Sequence, residues 1–183
     1  MRRRSVLFSA LSAALASAVA DRRPTAAQEA TADALANHPI VGVWNVTTPG
    51  GPALAVFFAD GTNIQGLPAT QMSPQGVTFV GPQVGTWEPT GPRGVHFTGV
   101  QLHSDANGAF TGTVTIDAYP EVSEDGQTFL DDLSQSMITV RDAADAILQE
   151  TPAAGAPPAI GVRMSVGAPG FAMATPTAST PTT

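Results

Sequence analysis

Apolar and polar residues alternate with a period near two in short runs, and the apolar 3.6-residue repeat of a helix is almost missing. The pattern predicts strands over 40–48, 53–59, 62–67, 77–80, 84–88, 95–104, 109–119, 128–140 and 159–167. The stretch 142–149 fits either one helical turn or a strand, and 68–76 is polar and predicts no element. Turn chemistry separates the runs: Pro49-Gly50-Gly51-Pro52, Asp60-Gly61, Thr90-Gly91-Pro92-Arg93-Gly94 and Glu124-Asp125-Gly126. The predicted fold class is all-β, an antiparallel up-and-down meander closing into a single 8–10-stranded barrel. Closure removes exposed sheet edges; a sandwich is the alternative.

Asn107-Gly108 is the strongest hairpin signal. A two-residue turn there pairs Phe97 with Ala118, Gly99 with Ile116, Gln101 with Val114 and His103 with Gly112. That apolar face predicts the barrel interior. The opposite face pairs His96 with Tyr119, Thr98 with Asp117, Val100 with Thr115 and Leu102 with Thr113, and predicts the wall that meets water. The seven-residue spacing puts His96 and His103 on opposite faces.

Val41-Gly42-Val43-Trp44-Asn45-Val46-Thr47 is echoed 43 residues later by Val84-Gly85-Thr86-Trp87-Glu88-Pro89-Thr90. Internal duplication and the reuse of similar parts by consecutive hairpins both account for it.

The two ends differ from the body. Residues 1–20 carry three arginines, then the run Val6 to Ala20 closing on Ala18-Val19-Ala20. This predicts an export signal, with Arg3-Arg4-Ser5-Val6-Leu7 similar to the twin-arginine type. Cleavage is expected after Ala20 or Ala27. The run is too short to make a convincing membrane span. Residues 21–38 form a lead-in, 39–169 the barrel, and 170–183 a Thr/Pro-rich tail expected to be disordered.

Of the eight basic residues, all arginine, five precede Pro24; from His38 onward three arginines face twelve acids, a balance of −9. So acidic a body excludes nucleic-acid and anionic-membrane partners, which need clustered cations. The absence of cysteine excludes disulfides, a thiolate nucleophile and a cysteine zinc site.

Gly42-x-Trp44 on the first strand, Phe58-Ala59-Asp60-Gly61-Thr62 on the second and Arg163 on the last resemble small secreted bacterial lipocalin-like (calycin-type) barrels. The resemblance implies that Trp44 packs inside the closed end and that Arg163 covers its ring, with Gly42 as the third structural residue. It also implies a cavity for a small apolar ligand and no catalytic apparatus. The Thr-Asp-Tyr loop, C-terminal helix and disulfide of lipocalins are not present in the sequence.

The leading reading is therefore an exported, non-catalytic barrel binding a small hydrophobic molecule through Trp44, Phe97, Gln101, His103, Val114 and Ile116. No cofactor and no metal are expected, and no membrane contact once the signal is removed. A barrel cyclase or isomerase would use His96 or His103 with Asp117 and Tyr119 as acid–base groups. A ligand-free envelope module would have a filled interior. The acids Glu121, Glu124, Asp125, Asp131 and Asp132 lack calcium-loop spacing and predict a solvated acidic edge. His38 predicts only a loop residue.

Overall fold

The computed structural model describes residues 33–73 and 76–167. The expected export signal, most of the expected lead-in and the tail at 170–183 lie outside the described residues. The strands are β1 (Gly42–Thr48), β2 (Gly51–Phe57), β3 (Thr62–Gly66), β4 (Thr70–Ser73), β5 (Gly76–Val80) and β6 (Gln83–Pro89). They continue as β7 (Val95–Ser104), β8 (Phe110–Ala118), β9 (Glu121–Val122), β10 (Thr128–Asp131), β11 (Met137–Asp142), β12 (Ile147–Pro152) and β13 (Ala159–Arg163). All pair antiparallel in one sheet, in the order β12-β11-β8-β7-β6-β3-β2-β1-β13-β10-β9, with the β4–β5 hairpin attached to the end of β7.

The class is all-β, as the period-two pattern predicts, but the sheet curls into an open half-barrel instead of a closed barrel, and it has more than ten strands. The reason lies at Tyr119-Pro120. The β7–β8 register continues past Ala118 through the single bridge Gly94↔Glu121, so β9 prolongs β8 along the same neighbour. The outer edge of this bent strand then changes partner: β8 pairs with β11, whereas β9 pairs with β10. Among the described residues no ladder joins β11 to β10.

Three other differences have local causes. Residues 128–140 form two strands, because the Asp131-Asp132-Leu133-Ser134 segment makes its own turns: Asp131 Oδ1 accepts from Leu133 N and Asp132 Oδ1 from Ser134 N. Leu133 there has φ 63°. The polar stretch 68–76 contributes β4, whose hairpin partner is β5. The ambiguous 142–149 stretch contains the β11–β12 turn, Asp142 N donating to Ala146 O.

The interior has an aromatic centre. Trp44 and Phe129 meet edge to face at 5.1 Å, and Phe57 makes similar contacts with Trp87 and Phe97. The packed unit begins earlier than residue 39: Leu35, on the single helical turn at 33–36, packs against this core, and His38 is buried. His38 is no loose loop residue. Its Nδ1 accepts from Ile40 N, its Nε2 donates to Gly91 O, and its ring lies 5.5 Å from that of Trp87. Burial holds its pKa below the ordinary value, in keeping with a neutral imidazole. Among the described residues no helix is long and apolar enough to cross a membrane.

Candidate functional site

The closed end is built first. Trp44 and Arg163 are cross-strand partners on β1 and β13. The guanidinium carbon sits 4.2 Å from the Trp44 ring centroid, a cation–π contact. Gly42 makes this possible, since a Cβ there would approach Arg163 Nη1 to 2.6 Å. Arg163 then donates from Nε to Gly126 O, from Nη1 to Val41 O and from Nη2 to Pro39 O. Each indole N–H is also paired, Trp44 with Ile40 O and Trp87 with Phe58 O. The echoed tryptophans thus make the same kind of bond on different strands.

Beyond this packed end lies a cavity of about 470 Å³. Phe57, Phe97 and Phe129 line its aromatic side, and Ala53, Ala55 and Ala118 keep room above them. The turn Thr48-Pro49-Gly50 and the small-residue loop Ala153–Ala156 border it at the other end of the strands. Five of the six predicted ligand residues, Phe97, Gln101, His103, Val114 and Ile116, line this space. Trp44 does not: it is fully buried beneath it.

The pairing of these residues follows the sequence-derived register, Phe97↔Ala118 through His103↔Gly112. The two-residue Asn107-Gly108 turn does not form. The register shifts at Ser104↔Phe110, and Asp105 Oδ1 instead accepts from Asn107 N and Ala109 N across a longer loop. The inward parity survives because the bulge sits beyond His103.

One cavity wall is polar. Gln65 and Gln83 are cross-strand partners on β3 and β6, and Gln83 and Gln101 flank the Val84↔Val100 pair of β6 and β7. Side-chain amides therefore run across three neighbouring strands. Gln83 is fully buried over Gly99, where any Cβ would overlap its amide. Its Nε2 and Oε1 make no hydrogen bond within the protein, nor do Asn63 Oδ1, Gln101 Nε2 and His103 Nε2. Gln101 is 3% exposed. Burial alone pushes the His103 pKa down, which keeps the ring neutral.

The opposite wall carries Asp131, 4% exposed, and Ser136. Asp131 is thus a correction to the expected solvated acidic edge. Its carboxylate accepts from Leu133 N, Tyr119 N and Ser136 Oγ. The signal was the Asp131-Asp132-Leu133-Ser134 turn chemistry inside an otherwise apolar run. The remaining acids do lie outside; Arg93 pairs with Glu121 at 2.8 Å and reaches Glu124 at 3.8 Å.

The acid–base trio converges, but on the outer wall. His96 Nε2 is 2.7 Å from Asp117 Oδ1, its Nδ1 is 3.3 Å from Glu88 Oε1, and its ring stacks on Tyr119 at 4.5 Å. Thr98 Oγ1 also donates to Asp117. None of these residues lines the cavity. His96, Asp117 and Tyr119 therefore meet outside this cavity: alternation sends Phe97 and Ala118 inward and their neighbours outward. Among the described residues no group of three or more His, Asp or Glu is arranged to hold a metal ion.

No protein-family model matches this chain, and no curated protein and no solved structure matches it.

Proposed function

We propose that this protein is a lipocalin-like binding module whose cavity holds one small, largely apolar molecule and performs no chemistry on it. The carrying observation is the cavity of about 470 Å³. A single buried water needs only about 10–15 Å³ of such space, while small-molecule sites occupy roughly 300–1,000 Å³. A ligand-free envelope module would instead fill this volume with side chains. The Gly42–Trp44–Arg163 arrangement supports the lipocalin-like part of the reading. The arginine-led, alanine-rich leader is the sole support for export, and the acidic body for a small-molecule partner over nucleic acid or bilayer.

Native mass spectrometry of protein purified from its own host tests the reading. We expect a discrete small-molecule adduct that is lost in Ile116→Trp, a variant that fills the cavity, with the β-sheet circular dichroism kept. Wild-type protein that takes up no apolar probe, added at saturating concentration, would overturn the reading.

A further inference from the structure

We infer that the molecule in this cavity is uncharged and carries a hydrogen-bonding head, an amide or hydroxyl, seated against the Gln101–His103 wall. The inference rests on the binding reading and specifies its ligand class.

Buried polar groups are normally paired, because an unpaired one forfeits its bonds to water. Here Gln101 Nε2 and His103 Nε2, both on cavity-lining residues, have no partner, and Gln83 just behind them has neither of its amide atoms paired. A wholly apolar occupant would leave all of them unmet. A head that accepts a hydrogen bond from Gln101 Nε2 satisfies a donor on a cavity-lining residue, and one that also donates can serve a neutral imidazole nitrogen.

The charge of the head follows from the walls. Among the described residues no arginine lines the cavity, and the chain has no lysine. An anionic head would therefore be desolvated without a counter-ion, and within the same cavity as the Asp131 carboxylate. A cationic head finds Asp131 already engaged by Leu133 N, Tyr119 N and Ser136 Oγ. The wall that does lack partners is made of neutral amides and one histidine kept uncharged by burial. Neutral groups suit a neutral head.

Displacement of a polarity-sensitive dye by decanamide, decanol, decanoate and decylamine at neutral pH tests this with chain length held constant. We expect decanamide and decanol to bind at least about tenfold more tightly than either ion. Gln101→Leu should weaken decanamide about fivefold and leave the ions' weaker binding unchanged, with no fall in Tm. Gln101→Glu, a second variant of the same shape, should also weaken decanamide and should raise decylamine affinity. Equal affinities across the series, or tightest binding of decanoate or decylamine, would overturn the neutral-head inference and leave the binding reading standing. Undiminished decanamide affinity in both variants would remove the Gln101 wall as its seat. If neither dye nor any probe binds, the binding reading itself falls and the inference with it.

Discussion

At the closed end of the half-barrel both indole N–H groups and three nitrogens of Arg163 end on backbone carbonyls, and Asn63 Oδ1, opposite Phe57, is the buried atom left unpaired there. Farther along the same sheet, Gln83, Gln101 and His103 carry buried polar atoms with no partner, beside an open volume. Both regions are formed by inward-facing positions of neighbouring strands, so strand geometry does not separate them. What differs is completion. One end pairs most of its polar groups and contributes stability; the other holds several unpaired polar groups at a cost that folding alone does not recover.

That contrast is broken most forcefully at Trp44. Trp44→Ala should destabilise by about 3–5 kcal/mol, read as a lower urea midpoint, while the fraction still folded keeps its ligand preference. A loss below about 0.5 kcal/mol would mean that the closed end does not depend on this ring. Arg163→Met comes next. It leaves the carbonyls of Gly126, Val41 and Pro39 without their charged donor and removes the cation–π contact, at about 2 kcal/mol. Gln101→Leu should have the opposite sign, stabilising the empty protein by up to about 1 kcal/mol because an unmet donor disappears. A destabilisation at Gln101 as large as that at Arg163 would erase the distinction between the two ends.

Much of this contrast was legible in the residues, though unevenly. The face of β7 that points inward follows from alternation alone, which sets Phe97, Gln101 and His103 on it, and the hairpin register adds Val114 and Ile116. The register was right even though the turn was not, because Asp105 side-chain bonds reorganised only the tip beyond His103. Closure was not legible. Whether β8 and β9 share one outer partner depends on β11 pairing with β8 and β10 with β9, a choice of neighbours that alternation along a single strand does not specify. The same holds for Gln65 and Gln83: each looks like an ordinary polar strand residue until the β3–β6 register sets them opposite each other. Trp44 was legible as core but not as lining, since its ring lies below the cavity instead of beside it.

The smallest expected effect sharpens the comparison on a single strand, where His96 faces out and His103 faces in. For His96, burial opposes the charged form, but the hydrogen bonds and charges of Asp117 and Glu88 together outweigh it, so its pKa is raised above the ordinary 6.5. Its contribution to stability is then full below pH 6.5 and is lost as pH rises through the raised folded value. For His103, burial alone depresses the pKa below 6.5, so a penalty grows as pH falls through 6.5 toward the folded value. His96→Gln should therefore be less stable than wild type at acidic pH, with the difference vanishing at alkaline pH. His103→Gln should gain on wild type as the solution is acidified. Urea midpoints of the two variants and wild type, from about pH 5 to about pH 9, read both slopes. Equal slopes of the same sign would mean that the satisfied outer cluster and the unsatisfied inner wall present the same environment to a proton. In that case His103 Nε2 would not be the buried, unpaired atom on which the neutral-head reading draws.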